Sequence, residues 1–540
     1  MIWAVVVLVV GLGSRGLNEP DEGRYSEIGR EMAAGNSWLV PHLNGFPHFQ
    51  KPPLVYWLTA TGFRIFGVNE WGARFPSALA AFGTVIATWM IARRLFDARV
   101  ATTAALVLVG GLEFFGMARM LTPDMLMTFW ITAAIACLVR AVTPAAPSAS
   151  GAPSRWMWGF FVCQGLGFMT KGPMALVVPS GAALGWWWFA RKTPASIRIP
   201  WVRGLAIALA LGLAWFVVIS IRIPGLFDYF LGDELVKRVA SKAHGRSKPF
   251  WFFVPVLIGG ALPWTACAPW IVASAWKRWQ SAVPLRPWQG LLLGWTVIPF
   301  VVLSISGSKL LTYVLPLYPA LALAVAAAWR AHYDRPVARR SWRIAALIPF
   351  LVAGILLGLC FTRWGSELSP WPLGVILLGT GMVLIPLASR PGPLALGRLA
   401  MGSAVVWLGV AFQLPALNQA LGRQASVREL SAAAARFAGP DGAVFSYDVR
   451  ACGFGFYLGR LIGIRASEAD LVLKPTAEES RRLIESPDDA ARLAPEGKPV
   501  CGLIAKDQWG KTFAAPDWQL LGRAGEFALV GRIAPPGSRR

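Results

Sequence analysis

The 540 residues carry 55% hydrophobic and only 15% charged side chains, with a mean hydropathy of +0.52. A soluble domain holds about a quarter charged residues, so this composition excludes an ordinary soluble fold and points to lipid as solvent. The formal net charge of +24 suggests a nucleic-acid partner, but the basic residues form neither one face nor a tail, which excludes that reading.

Taken in chain order, apolar stretches long enough to cross a hydrocarbon core of roughly 30 Å recur through most of the chain. They fall near 1–17, 75–92, 100–118, 124–139, 156–170, 172–190, 204–222, 250–275, 288–306, 310–329, 344–362, 371–389 and 399–415. With no water to satisfy the backbone between them, these about 13 spans are expected to be helices. The first, from Ile2, lacks a basic leader and a cleavage site; it reads as a membrane helix with a clipped start, not a signal peptide.

Alternate connections collect the cations: Arg93, Arg94 and Arg99, then Arg140 and Arg155, then Arg191, Lys192, Arg198 and Arg203. The same side receives Lys277, Arg278 and Arg286, then Arg330, Arg335, Arg339, Arg340 and Arg343, then Arg390 and Arg398. That asymmetry marks the cytoplasmic side, placing the N-terminus inside and the C-terminal segment outside. The expected location is a bacterial inner membrane, multi-pass, with the active site and C-terminal domain facing the periplasm. Residues 141–155 read as a flexible cytoplasmic linker. Two long outer loops remain, 18–74 and 223–249.

After residue 415 acids reappear and apolar runs shorten. Ser426–Phe437 reads as a helix, Ala443–Tyr447 as a strand, Arg481–Leu493 as a helix and Phe527–Arg532 as a strand. The predicted architecture is a polytopic α-helical membrane domain over 1–415, followed by a small extracytoplasmic α/β domain over 416–540. No CxxC spacing occurs among the six cysteines. Cys452 and Cys501 either pair in an oxidising compartment or remain buried thiols.

The first outer loop holds the densest ionisable cluster: Glu19, Asp21, Glu22, Arg24, Glu27, Arg30 and Glu31. Its spacing fits an amphipathic helix with Tyr25, Ile28 and Met32 on one face. A carboxylate at headgroup level can deprotonate or orient an acceptor hydroxyl beside a lipid-borne phosphate, which makes Asp21 and Glu22 catalytic candidates; the alternative is a solvated acidic loop. Lys51, between Phe49, Tyr56 and Trp57, and Arg24 are candidates for holding phosphate, or Lys51 is an ordinary snorkelling lysine. Asp124, at the mouth of a span without other acids, is a second acidic candidate with Arg119 as its expected partner; the rival is a helix cap.

Basic groups also stand on the outer side, against the topology trend: Lys171, the run Lys237, Arg238, Lys242, His244, Arg246 and Lys248, and Lys309 with Tyr313 close behind. A lipid-linked phosphate explains them, as does anchoring to anionic lipid. If the outer loops converge, one pocket holds an anionic donor beside a carboxylate. The residues give no support for a metal or other cofactor.

The combination resembles a known family. Pro-Asp-Glu-Gly-Arg-Tyr-Ser-Glu-Ile-Gly-Arg-Glu-Met at 20–32, Trp-Leu-Val-Pro-His-Leu-Asn-Gly at 38–45, Lys-Pro-Pro-Leu-Val-Tyr-Trp at 51–57 and Phe-Gly-Val-Asn-Glu-Trp-Gly-Ala-Arg-Phe-Pro-Ser at 66–77 are similar to the first periplasmic loop of aminoarabinose-transferase-like GT-C glycosyltransferases, relatives of the protein O-mannosyltransferases. Thr170-Lys171-Gly172-Pro173, Leu262-Pro263-Trp264 and Ser308-Lys309-Leu310-Leu311-Thr312-Tyr313 resemble later landmarks of that family. The resemblance implies about 13 membrane helices, a periplasmic C-terminal domain and a polyprenyl-phosphate-linked sugar as donor. It matches Asp21 to the catalytic carboxylate, Lys51 to a donor-phosphate ligand and Asp124 to an acidic partner. It further implies that Lys171, Arg246, Lys309 and Tyr313 help to bind the carrier phosphate. Gln50 stands where relatives often carry Glu, which weakens a carried-over divalent metal site.

The expected chemistry is direct displacement with inversion. Asp21 faces the acceptor, a lipid such as lipid A or another glycan, while Lys51 and the outer cations hold the leaving phosphate. A protein O-mannosyltransferase-like enzyme and a lipid-linked sugar transporter are the alternatives. A transporter is expected to show repeats and polar groups at the midplane.

Overall fold

The computed structural model describes the chain except residues 36, 144–153, 192–198, 231, 233–247, 282–283, 363–367, 389–391, 421–425, 466, 468–470, 496 and 534–540. The linker expected at 141–155 and most of the outer loop expected at 223–249 thus lie largely outside the described residues. The chain divides into two compact units: Met1–Val10 with Ser77–Gln413, and Gly11–Pro76 with Leu414–Arg540.

The first unit is helical. Every one of the expected span ranges contains a helix. Among the described residues, seven helices are long and apolar enough to cross a membrane, and up to nine spans result if two bent pairs are each counted once. The bent pairs are Ala98–Val109 with Leu112–Ala118, at 70°, and Phe253–Gly260 with Trp264–Arg278, at 104°. Four expected spans fall on helices outside that count: Ile2–Val9, Arg155–Lys171, Met174–Ala190 and Pro370–Ala388. Length and composition therefore do not establish 13 crossings.

Small residues set the closest helix contact. Gly181 and Gly185 of Met174–Ala190 face Gly294 and Gly290 of Pro287–Ile305, and a Cβ on any of the four would meet the backbone of the opposite helix. In lipid, where apolar side chains gain little by leaving their solvent, such backbone approach is a main source of helix association. Tryptophans lock other crossings by hydrogen bonding: Trp264 Nε1 donates to the Val107 carbonyl at 2.7 Å and Trp407 Nε1 to that of Gly110 at 2.9 Å.

The second unit contains the first loop and the C-terminal domain. The loop opens with the helix Asp21–Ala33, whose Tyr25, Ile28 and Met32 are buried as the spacing predicted. A hairpin follows, β1 (His42–Leu43) and β2 (Phe46–Pro47), joined by Asn44 and Gly45 at φ 54° and 77°. Asn-Gly suits that turn because both central residues need positive φ. The helix Leu54–Phe66 then packs on the first.

The C-terminal domain is a six-stranded mixed sheet made of β3 (Ala443–Tyr447), β4 (Gly463–Arg465), β5 (Leu483–Ile484), β6 (Pro499–Ala505), β7 (Gln519–Ala524) and β8 (Phe527–Ile533). Its order is β5-β4-β3-β6-β8-β7, with β3, β4, β5 and β6 parallel and β8 antiparallel to β6. Alternation along the strands builds two cores. Val444, Cys501, Leu503 and Leu529 face the helix Arg428–Ala438, while Phe445, Tyr447, Ile504 and Val530 face Phe513 and Trp518.

The helix and strand expected at 426–437 and 443–447 form there, as does the closing strand. The helix expected over Arg481–Leu493 does not form as one element: Leu483–Ile484 joins the sheet and only Pro487–Ala491 is helical. Ser486 caps that short helix and Pro487 starts it, and together they break the longer pattern. All six cysteines are free thiols, so Cys452 and Cys501 form no pair.

Candidate functional site

Most of the expected site residues fall in two polar clusters, one in each unit. In the second unit Asp21 starts the helix Asp21–Ala33 and stays exposed, with Arg24 Nη1 3.9 Å from its Oδ1. Negative charge in a first helical turn is favoured by the unpaired N–H groups there. One turn on, Arg24 is half-buried; burial opposes its charge, but Cys452, Tyr25, Asp21 and Tyr56 hold its guanidinium above the ordinary range.

Lys51, also half-buried, and Arg24 act on the same imidazole. His48 is fully enclosed, and burial, with the positive charges of Arg24 and Lys51 adding to it, pushes its pKa down to about 3. The ring is therefore neutral at neutral pH. The Tyr25 and Tyr56 rings meet at a tilt, their centres 5.8 Å apart, and the Tyr56 ring lies 6.5 Å from that of His48. Two cations around a neutral, aromatic-lined wall suit a phosphate.

Glu22 is different. It has no solvent exposure, and its oxygens accept from Arg74 Nε at 2.7 Å, Arg74 Nη2, Arg15 Nη1 and the Asn18 N–H, each at 2.9 Å. Burial pushes this carboxyl up, but Arg74 and Arg15 outweigh it and hold the pKa at about 2. Arg74, equally enclosed, gives its remaining donors to the carbonyls of Leu12, Arg15 and Gly16 at 2.7–2.8 Å. All five guanidinium N–H groups are thus used, and the pair ties the segment before Asp21 to the helix Glu70–Leu95.

Further ties hold the same segment against the C-terminal domain. The Leu17 N–H donates to Tyr457 Oη at 2.7 Å, and Tyr457 donates to Glu70 Oε1 at 3.2 Å. The Gly453 N–H donates to Glu19 at 3.0 Å. Arg30 makes a two-pronged bond to Glu27, both contacts 2.7 Å. Glu31 accepts from the Gly45 N–H at 3.0 Å and so fixes the hairpin turn.

In the first unit Asp124 is 4% exposed in the first turn of Pro123–Val142, where Thr122 is the cap; the helix-cap reading of Asp124 fails. It forms an ion pair with Lys171, a partner the sequence did not suggest. Arg119 Nη1 donates to the carbonyls of Val7 and Leu8. Lys171 ends the helix Arg155–Lys171, where Gly172 takes φ 108°. An acid at a helix start thus meets a base at a helix end, each complementing its own helix dipole.

The Lys171 ammonium also lies 4.7 Å from the centre of the Tyr313 ring, so Asp124, Lys171 and Tyr313 form one cluster. Lys309 is buried and donates to the Ser306 carbonyl at 2.5 Å. Arg246 lies outside the described residues, as do Lys237, Arg238, Lys242 and His244.

Sequence reasoning passed over Glu113, which accepts from Tyr318 Oη at 2.6 Å beside a break in the helices. A lone acid after Gly110-Gly111 in an apolar run was the available signal. It also left Arg74 as part of a motif, because its partner lies 52 positions away.

A family described as dolichyl-phosphate-mannose-protein mannosyltransferase matches residues 50–217. Undecaprenyl phosphate-alpha-4-amino-4-deoxy-L-arabinose arabinosyl transferase 1 of Sodalis glossinidius is 34% identical over 383 residues, 68% of this chain and 65% of that protein. The corresponding transferase of Edwardsiella ictaluri is 33% identical over 391 residues, 70% of this chain and 68% of its own length. The chain thus matches about two thirds of the length of these two relatives. The crystal structure of ArnT from Cupriavidus metallidurans bound to undecaprenyl phosphate is similar over 99% of this chain and 98% of that one, with a TM-score of 0.82 and 25% identity.

Proposed function

The chain belongs to the aminoarabinose-transferase-like GT-C glycosyltransferases, and from that premise we propose that it moves a sugar from a polyprenyl-phosphate carrier to an envelope acceptor. Relatives whose names specify undecaprenyl phosphate and 4-amino-4-deoxy-L-arabinose support an aminoarabinose donor; the acceptor in this proposal is lipid A. The carrier phosphate is already a good leaving group, so the protein need only align an acceptor oxygen and stabilise the departing charge. Transfer is direct, with inversion at the anomeric carbon.

In this reading Asp21 is the catalytic carboxylate facing the acceptor. Lys51 and Arg24 take the leaving phosphate, with Lys171, Lys309, Tyr313 and Arg246 serving the carrier phosphate. Asp124 holds Lys171 in place. Glu22, counted with Asp21 as a catalytic candidate, acts instead as a positioning residue, because its oxygens are fully occupied by Arg74, Arg15 and the Asn18 N–H. The division of the chain is proposed as a membrane catalytic domain over 1–415 and a C-terminal domain over 416–540. The basic residues of alternate connections support a cytoplasmic side opposite the first loop, with the chemistry at the periplasmic face of a bacterial inner membrane.

The observation that carries this reading is the pair of cations, Arg24 and Lys51, around a neutral His48, with Arg24 one helical turn from an exposed Asp21. Purified protein is incubated with a radiolabelled polyprenyl-phosphate sugar and extracted envelope lipids. Label moving to a lipid A fraction is expected; label that stays on the carrier with every acceptor overturns the reading. The match over residues 50–217 to protein mannosyltransferases favours a protein acceptor as the second reading, and label in precipitated protein would select it.

A further inference from the structure

The C-terminal sheet contains a reversal of strand order. From β3 the chain adds β4 and β5 on one side, then returns to place β6 on the other side of β3. The loops leaving the carboxyl ends of β3 and β6 therefore run in opposite directions, and they open a crevice between them. In open α/β sheets that place is where ligands bind.

Here the crevice is a cavity of about 790 Å³, lined by Asp448, Val449 and Arg450 after β3 and by Lys506 and Asp507 after β6. Glu526 and the Glu19-Pro20 peptide also line it, with Ala505 and Phe527. The volume lies in the range of roughly 300–1,000 Å³ usual for small-molecule sites.

The charges divide into used and unused. Asp448 is engaged by Arg465 and by Gln508 Nε2, the latter at 2.9 Å, and Asp507 lies 3.7 Å from Lys511. Asp448 also takes φ 57° to open the loop after β3. By contrast, the side chains of Arg450, Lys506 and Glu526 have no hydrogen-bond or ion-pair partner among the described residues, and all three are exposed. Two cations for a phosphate, with carboxyl groups at the same wall for hydroxyl or amine groups, is a mixed set. A bare anion would use only half of it.

We propose that this crevice binds a phosphorylated amino sugar. Resting on the transferase reading, its occupant is the polar head of the acceptor. Arg450 and Lys506 hold the phosphate, and Glu526 and Glu19 hold the sugar's polar groups. Glu19 and Pro20 directly precede Asp21, and the Gly453 N–H holds Glu19 against the domain. Binding in the crevice is thereby felt by the peptide that leads into the carboxylate facing the acceptor. Burial pushes the Glu19 carboxyl up to about 8, despite the Gly453 bond, and a carboxyl in its protonated form can donate a hydrogen bond as well as accept one.

Calorimetric titration of the full-length protein in detergent with glucosamine 6-phosphate, glucosamine and inorganic phosphate tests the site directly. Saturable binding of the phosphosugar, at least tenfold tighter than of either fragment, is expected. The R450A/K506A double variant is expected to lose that binding at least tenfold and to raise KM for the acceptor with kcat and the KM for the donor unchanged. Absence of saturable binding, equal binding of inorganic phosphate, or an unaffected double variant overturns the proposal. The two readings separate cleanly. Transfer with an unchanged acceptor KM in R450A/K506A removes the crevice and leaves the transferase. Phosphosugar binding without any transfer removes the transferase and leaves a sugar-phosphate site.

Discussion

The first loop and the helical unit use charge in opposite ways. In the loop, seven ionisable side chains lie within thirteen residues, 19–31, and most hold the backbone: Glu22 with Arg74, Glu27 with Arg30, Glu31 with the hairpin turn, Glu19 with Gly453. In the helical unit acids are scarce, and Asp124 with Lys171 and Glu113 with Tyr318 each sit at a helix end or break. The comparison teaches that density of ionisable groups marks a scaffold as readily as a site. What distinguishes Asp21 is that it alone in the cluster stands open, 60% exposed by side chain, while its neighbour Glu22 is sealed.

That contrast breaks first in activity. Asp21→Asn is expected to cut transfer by about 10²–10⁴-fold, the usual worth of a positioned carboxylate acting as base, and Lys51→Ala by about 10²–10³-fold. Both variants should keep the melting temperature of the parent, since neither group is fully buried; activity assays on membranes and thermal melts of purified protein check the pair. An Asp21→Asn variant with full activity would remove the site assignment.

The sealed half breaks in stability instead. Arg74→Ala leaves Glu22 buried with one fewer partner and should cost about 3–5 kcal/mol. The readout is early melting with faster proteolysis of the segment 12–18. In the helical unit the effect is smaller. Tyr313→Leu forfeits the cation–π contact with Lys171, about 0.5–2 kcal/mol, whereas Tyr313→Phe keeps it. If the hydroxyl serves the carrier phosphate, Tyr313→Phe melts like the parent but shows a severalfold higher KM for the donor.

The smallest change near neutral pH concerns His48. Its pKa is depressed in the folded chain, by burial first and then by Arg24 and Lys51, so its contribution is full above the ordinary value of about 6.5 and is lost as the pH falls toward 3. His48→Gln should leave the melting temperature at pH 7.5 nearly unchanged and flatten its decline between pH 6.5 and 4. Glu19 runs the other way. Its carboxyl is raised to about 8, so its contribution is full at acid pH and is lost as the pH climbs through 8; Glu19→Gln should flatten that limb.

Much of this organisation was legible beforehand, for identifiable reasons. Tyr25, Ile28 and Met32 repeat at helical spacing, and burying one face of a helix requires that repeat, so the helix and its buried side followed from local pattern. Val444, Phe445, Ser446 and Tyr447 are a short β-prone run, and it formed a strand. The Arg481–Leu493 helix was misread because a two-residue edge strand is too short to display a period, and Ser486-Pro487 restarted the helix. The pairing of Asp124 with Lys171 was missed because Arg119 is near in sequence and Lys171 is 47 positions away.

By itself the chain's chemistry determined its solvent, its helical spans and the residue types at its charged loops, because apolar run length and alternation are local quantities that the backbone must obey in lipid. Only the tertiary structure decided which carboxylate stays open and which is sealed, and that β3 and β6 enclose a crevice beside Glu19. Those outcomes depend on pairings such as Glu22 with Arg74, between groups far apart along the chain, and no local pattern encodes the distance that folding removes.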